Sequence, residues 1–209
     1  MLNTIVDLSH HNGTSLDLAV AGASGMNAVI HKATQGTAYT DPCLAANRAA
    51  VRTAGLLFGY YHFGTGDDGG AQADYFLAQA QPASGELLAL DFEANPAGPS
   101  MTLEEARAFV TVINARIGKW PVLYTGHYLK DMIGSTPDLV LANCPLWLAQ
   151  YGPVPVLPAG WNTWTLWQWT DGAAGVNPQP VPGIGHCDRD NFNGDTAGLA
   201  AFWSSVAPD

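Results

Sequence analysis

Two carboxylates one residue apart close the apolar run ELLALDFE (residues 86–93): Asp91, then Phe92, then Glu93. On a β-strand, residues i and i+2 leave the same face, so both side chains emerge together with Cα atoms about 6.7 Å apart. Neighbouring carboxylates repel, and the repulsion is relieved when one holds a proton or a cation intervenes. A protonated acid beside an anion is what glycoside hydrolysis needs: one group protonates the leaving oxygen, the other steadies an oxocarbenium-like transition state. Glu93 has the longer arm and stands nearer the strand end, which makes it the candidate acid. Asp91, one pleat deeper, is the candidate anion. A lone Asp-x-Glu also fits a solvated edge pair or a helix cap, so the surrounding elements decide.

Those elements alternate. Apolar, β-rich runs recur at 4–8, 27–33, 56–63, 86–93 and 121–126, with helix signals between them. Asp41-Pro42 reads as N-cap and first helical residue, ahead of a helix ending at Gly55. Residues 68–81 read as a second helix, and Thr102 with Glu105 forms a capping box ahead of a third. Strands separated by helices at this spacing argue for a parallel sheet. After about residue 135 the pattern changes. Strands at 145–151 and 163–171 are separated by GPVPVLPAGWN, too short and too proline-rich for a crossover helix. The segment 172–185 is a loop, NFNGD (191–195) reads as a turn, and a weak helix lies near 195–205. The expected fold is α/β: a modified, irregular TIM-like barrel of about five βα units followed by three strands with little helix.

In such barrels functional groups gather at the carboxyl ends of the strands. Here those ends carry Asp7, Lys32, Tyr61 and His62, Asp91 and Glu93, Tyr124, Gln150, then Gln168 and Trp169. Carboxylates and amides among aromatic walls suit a sugar chain, whose rings stack on Tyr and Trp faces. Composition narrows the partners. With 8 Lys and Arg and a net charge of −10, the chain has no basic footprint for nucleic acid or an anionic membrane surface. Cys43, Cys144 and Cys187 show no CxxC spacing and read as core thiols, and the histidines show no HExxH. Neither a metal nor another cofactor is expected. The opening MLNTIVDLSHHNG has no basic n-region or apolar h-region, so no signal peptide is expected there.

The ordered pieces IVDLSHHNG, VIHKATQGTAYTDP (29–42), GLLFGYYHF (55–63), LLALDFE (87–93), PVLYTG (121–126), PLWLAQYG (145–152), WTLWQWTDG (164–172) and CDRDNFNG (187–194) resemble the glycoside hydrolase family 25 lysozymes, the Chalaropsis-type muramidases. The resemblance runs over nearly the whole chain. It implies a peptidoglycan hydrolase cutting the β-1,4 bond between N-acetylmuramic acid and N-acetylglucosamine. It places the acid on Glu93 and its partner on Asp91, with Asp7 and Asp188 as flanking aspartates that orient substrate and hold the charge state. Lys32, Tyr39, Tyr61, Tyr124 and Trp169 match positions lining the family's cleft, with Lys32 as the cation among the carboxylates. Gln35, Cys187 and Asp190 depart from the family pattern. The resemblance favours retention, with the substrate's N-acetyl group as nucleophile, while an i,i+2 pair can reach the separations of either outcome. A chitinase-like glycosidase and a non-catalytic wall-glycan-binding barrel are the rival readings; Ser84, Leu87 and Ala89 stand where the chitinase DxxDxDxE pattern needs acids. One catalytic barrel over 1–209 without a separate wall-binding module is expected. The expected setting is a monomer acting on the bacterial wall, phage-encoded and released at lysis or carried on a phage or secreted particle.

Overall fold

The computed structural model describes residues 1–175 and 179–209. Residues 176–178, part of the expected loop at 172–185, lie outside the described residues. Five strand–helix units come first: β1 (Leu2–Leu8) with α1 (Leu18–Ala23), and β2 (Ala28–Gln35) with α2 (Leu44–Thr53). They continue as β4 (Leu57–Phe63) with α3 (Gly69–Ala80), β5 (Leu87–Asp91) with α4 (Leu103–Ile117), and β6 (Val122–Thr125) with α5 (His127–Ile133). A two-residue strand, β3 (Tyr39–Thr40), folds back on the end of β2. The chain finishes with β7 (Leu146–Ala149), β8 (Leu166–Thr170), β9 (Asp188–Phe192) and α6 (Thr196–Val206).

All of these strands belong to one sheet ordered β1-β9-β8-β7-β6-β5-β4-β2-β3, and the pairing of β1 with β2 closes it into a barrel with β3 outside. This is the irregular barrel the sequence leads one to expect. Two local readings change. The strand β9 absorbs Asn191 and Phe192, so only the end of NFNGD turns, and it runs antiparallel to both β8 and β1. An antiparallel neighbour needs no crossover helix. Asp41 does not cap α2, whose N-cap is Cys43. Instead the Asp41 carboxylate accepts from the Cys43 and His10 backbone N–H groups, fixing the turn ahead of the helix. The capping box of α4 forms as expected, with Glu105 N–H donating to Thr102 Oγ1 (3.3 Å) and Thr102 N–H to Glu105 Oε2 (2.6 Å).

Period-2 alternation sorts the strands into two layers. Inward residues such as Ile5, Ile30, Leu87, Ala89, Val122, Trp147 and Leu166 fill the barrel, with Leu199 and Trp203 of α6 packed among them. Outward residues such as Val6, Leu8, Val29, Tyr60, Leu88, Leu90 and Phe92 pack under Val51, Phe76, Phe109 and Ile113 of the helices. Gly59 has a steric reason: a Cβ there would stand 3.2 Å from both Leu87 and the Trp203 ring. At the barrel's amino end Trp203 Nε1 donates to Phe58 O (2.8 Å).

Candidate active site

The alternation that sends Leu90 and Phe92 out to the helices sends Asp91 into the barrel mouth. Glu93 lies just past the strand, yet its position is held. Phe92 N–H donates to Tyr124 O (2.9 Å), and Thr125 Oγ1 donates to Phe92 O (2.9 Å). The same inward register delivers Asp7, Tyr61, Tyr124, Trp147 and Gln168 from their strands. Because β9 runs the other way, its first residue arrives at the mouth, and Asp188 pairs in register with Asp7. Together with Tyr151 these residues line a cleft of about 210 Å³. A second hollow of about 470 Å³ adjoins it and shares Glu93, Tyr124 and Tyr151, with His127, Tyr128 and Gln150 on its far wall.

Below the cleft runs a chain of hydrogen bonds. Tyr124 OH (2.9 Å) and Tyr151 OH (3.0 Å) both donate to Gln168 Oε1. Gln168 Nε2 in turn donates to Asp7 Oδ2 (2.9 Å). Asp91 is nearly fully buried, and its Oδ1 has no hydrogen-bond partner among the described residues. Lys32 Nζ donates to Gln35 Oε1 (2.7 Å) and sits over the Phe63 ring at 4.8 Å, so it reaches Asp91 and Glu93 through its field. No cluster of three or more His, Cys, Asp or Glu among the described residues is placed to hold a metal ion.

Crowded carboxylates in a dry mouth lose acidity. Burial raises Glu93, with Lys32 pulling the other way. Burial and then Glu93 push Asp91 well above the ordinary carboxylate range, opposed by Lys32. Burial, Asp188 and Asp190 do the same to Asp7. Asp188 is pushed up to about 6 by burial and by Asp171. Depth means desolvation, so Asp91, expected as the anion of the pair, is raised along with Glu93. Asp91 and Glu93 titrate as a pair.

The structure thus gathers Asp7, Tyr61, Asp91, Glu93, Tyr124 and Asp188 in one cleft, with Lys32 acting on it from β2. It does not bring in the other two expected residues. Tyr39 stands exposed on β3, its hydroxyl 3.1 Å from His10 Nδ1, and lines a separate hollow with Gln35, Thr65 and Asn95. Trp169 follows the inward Gln168 and so faces outward, under the Arg189 guanidinium (5.5 Å) and donating to Asn3 Oδ1 (3.4 Å). His62 is likewise turned out, held between Thr34 and Gln72. Trp147, Tyr151 and Asp190 were missed as contributors. For Asp190 the signal existed: it stands two residues after Asp188, the spacing that singled out Asp91 and Glu93.

The family model for glycosyl hydrolases family 25 matches residues 6–176. The chain belongs to that family. It is a glycoside hydrolase of the lysozyme and muramidase kind. Lysozyme M1 of Streptomyces globisporus is 31% identical over 97% of this chain and 71% of its own length. The N,O-diacetylmuramidase of a Chalaropsis species is 35% identical over 77% of this chain and 84% of its own length. The crystal structure of a bacterial lysozyme from Streptomyces coelicolor is 32% identical, covers 99% of this chain and 98% of its own, and superposes with a TM-score of 0.86. In this family 25 chain the family match stops short of β9, so Asp188 and Asp190 stand on the geometry of the barrel mouth.

Proposed function

We propose that the protein is a peptidoglycan hydrolase that cleaves the β-1,4 bond between N-acetylmuramic acid and N-acetylglucosamine, with Glu93 as general acid. The observation that carries the assignment is the position of Glu93, among the described residues the one acid that lines both the cleft and the adjoining hollow. A glycan lying across the two places its scissile oxygen beside Glu93, with one sugar above Asp91 and the leaving sugar in the hollow by Tyr128 and Gln150. The names of the relatives, lysozyme and N,O-diacetylmuramidase, support the substrate class.

The Asp91 carboxylate, which lines the cleft, has a use in this scheme. An amide N–H from the sugar's N-acetyl group donating to it would favour its ionised form. Substrate binding then leaves the shared proton on Glu93, where protonation of the leaving oxygen needs it. Asp91 orients the N-acetyl group or steadies the oxocarbenium, while Asp7 and Asp188 position the sugar from the opposite wall. Tyr61 and Tyr124 supply ring faces and hydroxyls. Since Glu93 must be protonated to act, activity falls as pH rises through its raised pKa.

Replacing Glu93 by Gln keeps the shape and removes the proton donor. Turnover of purified cell walls should fall by about 10²–10⁴-fold with glycan binding retained. Lysis by Glu93→Gln at the parent's rate sinks the assignment. Release of reducing ends from chitin oligomers but not from peptidoglycan would instead move the substrate class.

A further inference from the structure

One wall of the hollow beside the cleft is built from irregular chain. Ala149 ends β7, Gln150 and Tyr151 line the hollow, and residues 151–156 run on without helix or strand. Pro153 and Pro155 have no N–H to donate, and Val154 and Val156 are exposed, so neither a ladder nor a core holds this stretch. Its two ends are fixed: Tyr151 OH bonds Gln168, and Leu157 packs against the cluster around Trp164 and Trp167.

What lies between is held by two side chains. Gln150 Nε2 donates to Val154 O (2.9 Å), and Val156 N–H donates to Gln150 Oε1 (3.2 Å). From α5, Lys130 Nζ donates to the same Oε1 (2.8 Å) and to Val156 O (2.9 Å). Gln150 itself is anchored to the barrel, its N–H donating to Gln168 O (3.2 Å) and its carbonyl accepting from Trp167 Nε1 (2.7 Å). Gln150 Oε1 thus accepts two bonds, the capacity of an amide oxygen, and keeps none for a sugar hydroxyl. Lys130 lines neither the cleft nor the hollow, so it reaches a substrate only through the loop it holds.

We propose that Lys130 is a positioning residue for the leaving sugar: by donating to Gln150 Oε1 and Val156 O it clamps residues 151–156 into a fixed wall, so that the hollow is formed before substrate arrives. A wall that must be ordered on binding costs affinity in the ground state and the transition state alike, so loss of the clamp raises KM and spares kcat. The kinetic effect rests on the glycan lying across cleft and hollow as proposed above; the clamp stands without it.

The test pairs kinetics with amide exchange on the full chain. Lys130→Met keeps the aliphatic stem and removes the donors, and Val156 O is exposed enough for water to replace its bond. KM for a soluble muropeptide chain should rise about three- to ten-fold, the equivalent of about one hydrogen bond, with kcat within about two-fold of the parent. The Val156 amide should exchange with deuterium about ten-fold faster than in the parent. Lys130→Arg, which can donate to both oxygens, should restore both readouts. An unchanged KM overturns the proposal, as does Val156 exchange that is the same with and without Lys130. If Lys130→Met fails to fold, the parent still decides. Val154 and Val156 both follow a proline, so their intrinsic rates match, and only Val156 N–H is bonded to Gln150. Slower exchange at Val156 supports the clamp, and equal exchange at the two overturns it. If Glu93→Gln proves fully active, the acid assignment fails and the exchange result does not.

Discussion

One strand, β5, has carboxylates at both ends, and they live in opposite worlds. At its start Glu86 is almost wholly buried yet fully served: Arg48 and Arg52 pair with it at 2.5 and 2.8 Å, Tyr60 OH donates at 2.6 Å, and Ala83 N–H at 2.9 Å. Burial alone would raise its pKa, but the Arg48, Tyr60 and Ala83 bonds outweigh it and leave the group below its usual value. At the far end Asp91 has an unpartnered oxygen, Glu93 for a neighbour and only the field of Lys32 in its favour, and its pKa is raised. A carboxylate that only holds the barrel together is surrounded by cations and donors. At the mouth no cation among the described residues pairs with Asp91, and its carboxylate lines the cleft where a substrate can bond. The difference separates stability from function across the one short strand that runs from just after Glu86 to Asp91.

The largest effect should come from the mouth. Asp91→Asn keeps the shape and removes the charge, and kcat should fall by about 10²–10³-fold, the size of losing one preorganised electrostatic contact to a transition state. The same change relieves repulsion, so its melting temperature should rise by a few degrees. At the base the signs invert. Glu86→Gln strands two arginines that are themselves partly exposed, and should cost about 2 kcal/mol of stability with kcat untouched. Thermal melts and wall-lysis rates on the two variants check both halves. A destabilised Asp91→Asn, or a Glu86→Gln with impaired turnover at a temperature where it is folded, breaks the contrast.

Acidity should read out the same division. A carboxyl whose folded pKa is raised binds its proton more tightly when folded, so its contribution is full below the ordinary carboxylate range and is lost as pH climbs through the folded value. Asp188 at about 6 and Asp190 at about 8 set that window. Glu86 runs the other way: its depressed pKa stabilises the fold above the ordinary value, and that is lost as pH falls through the folded one. His62, buried and lowered to about 4, joins it on the acid side, since it must charge in the unfolded chain first. Stability should therefore peak in mildly acidic solution and decline toward pH 8. Glu86→Gln should flatten the acid limb and leave the alkaline decline, in melts recorded across pH. An alkaline decline that vanishes with Glu86 would refute this division.

Much of this was legible before any coordinates. The period-2 pattern places Asp7, Tyr61, Asp91 and Tyr124 on inward faces, and seven of the strands and the capping box of α4 follow from local chemistry. What escaped depended on neighbours distant in sequence. The antiparallel course of β9 is set by its pairing with β1 and β8, which no local pattern encodes. Trp169 looked like a wall of the cleft because it ends an aromatic-rich strand, but Gln168 takes the inward position and alternation turns the indole out. The raised pKa of Asp91 also depends on its surroundings, since burial in a low-dielectric mouth is the main source of the shift.

Tyr151 supplies the smallest and sharpest test of how the two ends differ. The base holds Glu86 with charges, whereas the mouth holds Asp7 through a neutral relay, Tyr151 and Tyr124 to Gln168 and Gln168 to Asp7. Such a relay positions an anion without neutralising it. Tyr151→Phe removes one of two hydroxyls on Gln168 Oε1 and leaves the ring in the cleft. It should lower kcat/KM by about three- to ten-fold, the worth of one neutral hydrogen bond, with stability changed by less than about 1 kcal/mol. Trp169→Phe, on the outer face, should stay within about two-fold of the parent, as surface changes away from a site do. Steady-state kinetics on a soluble muropeptide chain compare the pair directly. If Trp169→Phe is the more damaged of the two, the relay is not what holds the mouth in working order.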